Sequence, residues 1–312
     1  MPTIDTIILC PEPCQRSSLA ISGDMLEAAN RVARMNGKPP FFTVRQLTPS
    51  QALAPDASAQ LVILPGMGLA TEREVRETTQ TVQFVTLTDA LVKLAAPGTI
   101  IAGSCSGCFA LGQAGLLDGR AATTTWWLAP LLKTMYPRVR LNSRDIVVED
   151  GPLVTAGAAF SHIDLLLHLI ERFAGFAVAE DCRRFMMADS RPSQLPYLSV
   201  ATLLSAAPDL QQAELFLRRN IRRQVSIAEL AAACGMSPRT FSRHLQRVTA
   251  MTPTAFVQTL RVTEAIRLLR TRGLTADEIA ARVGYADATA LRRAMRKRTG
   301  RTLDSFREEQ YP

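Results

Sequence analysis

The C-terminal third of this 312-residue chain states one pattern twice, and that repetition constrains the fold more than any other feature. Ser226-Ile-Ala-Glu229-Leu-Ala-Ala-Ala-Cys-Gly235 is matched, 49 positions later, by Thr275-Ala-Asp-Glu278-Ile-Ala-Ala-Arg-Val-Gly284. In each copy Ser or Thr precedes Glu by three residues, the spacing at which a helix cap and first turn satisfy each other's amides. Each short helix then ends at Gly, which accepts the left-handed backbone of a tight turn. An Arg-rich amphipathic stretch follows both, at 237–247 and 287–298. Short helix, glycine turn and basic helix form the arrangement that lays its second helix in the major groove of double-stranded DNA. Two copies let one chain address two neighbouring groove segments.

Charge follows the same division. Residues 1–208 carry 17 Lys and Arg against 18 Asp and Glu, a net of −1; residues 209–312 carry 19 against 10, a net of +9. A basic excess confined to one module is the footprint of phosphate binding. The length suits two domains, each with its own core. The first residues, Met1-Pro-Thr-Ile-Asp-Thr-Ile-Ile-Leu, lack a basic start and a long apolar run, so no signal peptide is expected. The most apolar stretch, 163–176, is broken by Asp164, His168, Glu171 and Arg172, which argues against a membrane-spanning helix. Six cysteines in such a chain do not make a disulfide framework, and the expected location is the cytoplasm.

Ahead of the repeat, short apolar runs alternate with helical patterns. Runs at 4–9, 42–47, 61–64, 99–103 and 153–155 read as buried parallel strands. Helical patterns at 23–35, 81–95, 107–113 and 162–173 separate them. The alternation predicts an open α/β sheet over residues 1–187, with ligands beyond the carboxyl ends of its strands. Those ends carry Leu64-Pro-Gly66-Met-Gly68, Ser104-Cys105-Ser106-Gly107 and Thr155-Ala-Gly157. In the second, a strand turns directly into a helix with Cys105 at the turn. This is the shape of a nucleophile elbow, in which small neighbours permit a strained backbone. A helix N-terminus behind such a thiol is expected to lower its pKa and to favour anions.

The elbow, the downstream Ala114-Gly-Leu-Leu-Asp-Gly-Arg120-Ala-Ala-Thr-Thr and the Pro65-Gly66 turn resemble the PfpI / class I glutamine amidotransferase-like fold, a flavodoxin-like open parallel sheet. The C-terminal repeat resembles the paired helix-turn-helix motifs of the AraC/XylS family. Joined in this order they resemble the GlxA-type transcriptional regulators, over nearly the whole chain and most strongly at 99–126 and 226–307. The resemblance implies a ligand-responsive, DNA-binding activator of transcription that acts as a homodimer, with RNA polymerase as a further partner.

Catalysis at the elbow needs a base. In catalytic relatives of this fold a His follows the elbow in a Thr-Thr-His run; here the run reads Thr123-Thr124-Thr125-Trp126-Trp127, with Thr125 in the His place. An acid after the first strand, within 17–25, cannot be assigned. His168 is assigned to packing or surface and His244 to the DNA-binding half. His162 opens a helix next to Thr155-Ala-Gly157, near the expected pocket. No enzymatic activity, cofactor or metal is therefore expected. Cys105-Ser-Gly-Cys108 has the spacing of redox motifs, but Cys108 is expected to point into the core. Cys105 is read as ligand wall or core. Trp126 can take a cation on its ring face, with core packing the alternative. The expected ligand site joins Gly66, Cys105, Ser106 and Thr125 to Trp126, Gly157 and His162, for a small nitrogen-containing metabolite.

Residues 188–208, with Pro192 and Pro196 among polar turn residues, read as a linker. Beyond it, 209–312 is expected to be all-α, opening with a helix over 209–223 and carrying a joining helix at 261–270. In the first basic helix Phe241, Leu245 and Val248 share a buried face, leaving Arg239, Ser242, Arg243 and Gln246 outward, side chains suited to guanine and adenine edges. In the second, Leu291 and Met295 are expected inside and Thr289, Arg292 and Arg293 outside. Arg239, Arg243, Arg292 and Arg293 are assigned to sequence reading, and Arg247, Lys297 and Arg301 to phosphates. Two alternatives stay open: a Cys105-dependent amidase or hydrolase, or a redox sensor, each with a DNA-binding tail.

Overall fold

The computed structural model describes residues 3–188, 191, 193–194, 197, 199–204, 207–269 and 273–308. The chain divides into two compact units, Met1–Arg191 and Pro192–Pro312. That boundary falls inside the expected linker. Pro192 and Pro196 lie outside the described residues, while Val200–Leu204 is helical and packs within the second unit.

Six strands form the sheet of the first unit: β1 (Ile4–Leu9), β2 (Phe42–Leu47), β3 (Leu61–Leu64), β4 (Ile100–Ser104), β5 (Val147–Asp150) and β6 (Leu153–Ala156). Their order is β2-β1-β3-β4-β6-β5, all neighbours parallel except β5, which runs antiparallel to β6. Helices α1 (Arg16–Met35), α2 (Val82–Leu94), α3 (Cys108–Gln113) and α4 (Ser161–Ala174) cover its two faces. Alternate strand residues serve opposite faces. Ile7, Val62 and Ile101 pack with α2 and α3, whereas Ile8, Ile63 and Ala102 pack with α1 and α4. The flavodoxin-like open sheet expected from the sequence is the observed fold. Leu64 pairs with Gly103 and Ser104 with Ala156, so three carboxyl ends stand side by side.

A polar link crosses the α1–α4 layer. His162 is fully buried on α4; its Nδ1 lies 2.9 Å from Ser104 Oγ on β4 and its Nε2 2.7 Å from Ser22 Oγ on α1. Ser22 Oγ spends its own proton on Ser18 O, at 2.8 Å, so it accepts from Nε2–H and Nδ1 accepts from Ser104. The imidazole is held neutral, and burial pushes its pKa down to about 4.

The second unit is helical: α5 (Pro208–Arg219), α6 (Ile227–Ala233), α7 (Pro238–Thr249), α8 (Pro253–Leu269), α9 (Ala276–Arg282) and α10 (Ala288–Thr299), followed by Leu303–Glu308. The leading helix ends at Arg219, four residues short of expectation, and the joining helix begins earlier, at Pro253; Arg270 lies outside the described residues. Both capping boxes form, Ser226 with Glu229 and Thr275 with Glu278. The repeat extends to single bonds. Thr249 Oγ1 donates to Leu245 O at 2.7 Å and Thr299 Oγ1 to Met295 O at 2.9 Å, each closing a recognition helix. Val248, expected inside, is half-buried, and Thr249 takes the buried place.

Two expectations follow. Above pH 6.5 His162 is neutral in both folded and unfolded chains. As pH falls towards 4 the unfolded chain takes up a proton that the folded one resists, so the first unit should lose about 3 kcal/mol over that window. Thermal unfolding against pH should show a shallower decline in His162→Gln; an unchanged slope would contradict the buried neutral imidazole. The two turn glycines should also differ. Both have positive φ, but a Cβ on Gly235 meets nothing within 4 Å, whereas on Gly284 it stands 2.4 Å from Ile221 O. Urea unfolding of the second unit should show Gly235→Ala costing about 1–2 kcal/mol and Gly284→Ala clearly more; equal costs would refute the crowding.

Candidate functional site

β4 delivers Ser104 to a single 3-10 turn, Cys105–Gly107, that runs into α3. Cys105 takes φ +52°, in the left-handed region. Its N–H donates to Gly157 O at 2.9 Å and its carbonyl accepts from Thr124 Oγ1 at 2.7 Å, so both sides of the strained residue are clamped. Small neighbours are required: a Cβ on Gly66 would stand 2.8 Å from Gln15 Oε1 and 3.2 Å from Cys105 Cβ. Ser106 Oγ accepts from Met67 N–H and Leu69 N–H, both at 3.2 Å, and so fastens the loop after β3 over the turn.

The elbow shape is present, but its expected chemistry is not. Cys105 is 4% exposed, and desolvation raises its thiol pKa against the opposing hydrogen bonds of Ser106. The expected lowering is overturned because α3 is only six residues long and burial outweighs its N-terminus. Cys108 points inward as expected, fully buried with Sγ 3.7 Å from Gly103 O. All six cysteines are free thiols. His162, expected in the ligand wall, is instead a core residue with both nitrogens engaged by Ser104 and Ser22.

Thr125 is fully buried, and its Oγ1 has no hydrogen-bond partner among the described residues. Ser18 Oγ, and Gln15 Oε1 at the buried end of a half-buried side chain, likewise have no hydrogen-bond partner among the described residues. Gln15 is the residue that sequence reading missed. It lies just ahead of α1, its N–H donates to Gly66 O at 2.8 Å, and its neutral amide crowds the elbow. Trp126 is half-exposed and stands edge-on to Trp127, whose Nε1 donates to Ala70 O at 2.9 Å. A cleft of about 450 Å³ lies at the opposite end of the sheet, beside Pro97, Thr99 and Pro152. Among the described residues no cluster of His, Cys, Asp and Glu could hold a metal, and no helix is long and apolar enough to cross a membrane.

In the second unit α7 and α10 turn matching faces inward and outward. Phe241, Leu245, Leu291 and Met295 are fully buried, while Arg239, Arg243, Gln246, Arg247, Thr289, Arg292, Arg293 and Lys297 are exposed. Ser242 is only partly exposed, and its hydroxyl donates to Pro238 O at 2.8 Å, back into its own helix. Arg247 Nη2 lies 2.8 Å from His244 Nδ1, and His244 Nε2 pairs with Asp209 at 2.8 Å. Arg301 departs from its expected place on the phosphate surface: its guanidinium stacks 4.5 Å above the Phe306 ring and donates to Ser305 O at 3.3 Å. Arg261, which the sequence offered only as the start of a helix, is 2% exposed and joins the two motifs. Its Nη2 donates to Arg223 O at 2.6 Å and its Nη1 to Gly284 O at 3.1 Å.

The DJ-1/PfpI family matches residues 42–172, and a helix-turn-helix domain matches residues 230–309. The chain is 24% identical over 258 residues to the HTH-type transcriptional regulator GbdR of Pseudomonas aeruginosa, covering 82% of this chain and 68% of that one. It is 28% identical over 235 residues to the HTH-type transcriptional regulator GlxA of Rhizobium meliloti, covering 70% and 68%. Over 145 residues it is 30% identical to the isonitrile hydratase of Pseudomonas putida, covering 45% and 58%. The chain thus carries a DJ-1/PfpI domain followed by an AraC-type helix-turn-helix domain, and it is similar along most of its length to proteins named as HTH-type transcriptional regulators, GlxA among them.

Proposed function

We propose that the chain is a sequence-specific activator of transcription, acting in the cytoplasm as a homodimer that contacts RNA polymerase, and that its elbow senses a small nitrogen-containing metabolite without turning it over. The observation that carries the DNA-binding part is the doubled motif, with Arg243 and Arg293 exposed at equivalent places on buried-core helices and Arg292 exposed beside the latter. Guanidinium forks at these positions suit guanine edges. The sensing part rests on the elbow's orphaned atoms. Gln15 Oε1 is an acceptor, and Ser18 and Thr125 offer hydroxyls that accept or donate. A buried acceptor without a partner costs about 1–3 kcal/mol, which an N–H-bearing ligand would offset.

A second reading, turnover at Cys105, draws on the likeness to isonitrile hydratase. Against it stand a thiol raised by burial, a threonine in the base position and a histidine locked in the core.

Thermal unfolding of the whole chain against amino acids, amines, betaines and polyamines tests the sensor. A ligand at about 100 times its Kd should stabilise the first unit by about 2.7 kcal/mol, and Gln15→Leu should reduce that shift. A shift that Gln15→Leu leaves intact would move the site elsewhere. Wild-type Cys105 should alkylate slowly at neutral pH, and any compound consumed at a rate abolished by Cys105→Ser would decide for the enzyme. For DNA, Arg243→Ala and Arg292→Ala should each relax discrimination at one base pair of a selected duplex by about 1–3 kcal/mol. A uniform loss across all sequences would assign those arginines to phosphates instead.

A further inference from the structure

The second unit carries a cleft of about 660 Å³ that the two recognition helices do not use. It is lined by the last turn of α5, by the residues that follow to Arg223, by Glu264 and Arg267 of α8, and by Arg282 of α9. Six arginines face it, against the single carboxylate of Glu264. Three have internal partners: Arg218 pairs with Glu214 at 2.8 Å, Arg223 with Glu229 at 2.7 Å and Arg267 with Glu264 at 2.6 Å. Arg219, Arg222 and Arg282 are exposed, and their side chains form no hydrogen bond and no ion pair within 4 Å among the described residues, although the charge of Glu278 is felt by Arg282 at longer range.

We infer that this cleft binds phosphate, with Arg219, Arg222 and Arg282 as its ligands. Like charges gathered from three chain segments repel one another, and a concave wall concentrates their potential on an incoming anion. Guanidinium forks match phosphate oxygens in pairs. The rim is also held in advance of any ligand. Arg261 bonds Arg223 O and Gly284 O, and the Cα of Gly284 packs against Ile221 O, so the backbone beside Arg222 and Arg282 is pinned. An ordinary solvated basic surface needs neither the concavity nor the pinning.

Two sources supply that chemistry: the DNA backbone running between two reading helices, and a free polyphosphate. The first rests on the proposed function; the second does not. The test compares the full chain with Arg219→Gln/Arg222→Gln/Arg282→Gln and with a charge-matched control, Arg31→Gln/Arg73→Gln/Arg184→Gln, in the first unit. Anisotropy with a random-sequence duplex across a salt series should show the cleft variant losing about 2–3 from the log–log salt slope, about 0.9 for each phosphate contact removed. If the phosphate is free, calorimetry with inorganic tripolyphosphate should show binding that only the cleft variant loses, with the salt slope unchanged. Either result supports the inference. It is overturned if the cleft variant matches the control with both probes, or if a polyglutamate peptide alone separates them, which would give the cleft to an acidic protein. A wild-type chain that binds no duplex would defeat the proposed function, and the tripolyphosphate titration would then decide the cleft by itself.

Discussion

Arg261 takes a charge into the interior of the DNA-binding unit, and the geometry of that unit depends on how the charge is satisfied. Desolvation disfavours the guanidinium and lowers its pKa. Two backbone carbonyls compensate, one from the chain entering the first motif and one from the turn glycine of the second. The Tyr285 ring stands 6.0 Å from it, within range of a cation–π contact. A hydrophobic residue at this point of α8 would fill space but would not choose between neighbouring backbone positions. A fork with two directed donors does choose. α8 also packs against α10 and α7, so Arg261 stands on the helix that joins the two basic helices.

The first unit shows a different balance of the same forces. Its elbow keeps the strained backbone that exposes a nucleophile elsewhere, yet it holds Cys105 under a loop fastened by Ser106. Desolvation governs the thiol, and the groups that could activate it are neutral: an amide at Gln15, a hydroxyl at Thr125, and an imidazole engaged on both sides by serines. The strain is retained, while none of these described residues is a charged acid or base. The proposed sensing role builds on this arrangement, since a buried polar atom without a partner can be satisfied by a ligand without any bond being made or broken.

What the sequence disclosed followed from local rules. β1, β2 and β3 were legible to the residue: Leu61–Leu64 is apolar on both faces, as a buried parallel strand is, while Ile4–Leu9 and the edge strand Phe42–Leu47 are runs of strand-forming residues bounded by turns. The capping boxes and turn glycines were legible because a helix end must satisfy its own amides wherever it sits. The short antiparallel strand and the non-local features were hidden. β5 alternates burial as an antiparallel edge strand does, and its four residues gave too short a pattern to read. The start of α1 carries no side-chain cap at Gln15, so the helix was read from Gly23 onwards. His162 looked like a pocket residue because its neighbours in sequence line the sheet's carboxyl edge; its partners, Ser22 and Ser104, are remote in the chain. Arg261 and the arginine cleft were invisible for the same reason: both are made where separate segments converge.

The most direct test of the account is guanine methylation interference on duplexes that the full chain selects from a random pool. Two rigidly spaced reading helices predict two clusters of interfering guanines in each half-site, about 10 base pairs apart on one face of the DNA. Arg243→Ala should erase one cluster and Arg292→Ala the other. A single cluster, or two whose spacing varies among selected sequences, would contradict the fixed pair of motifs on which the account rests.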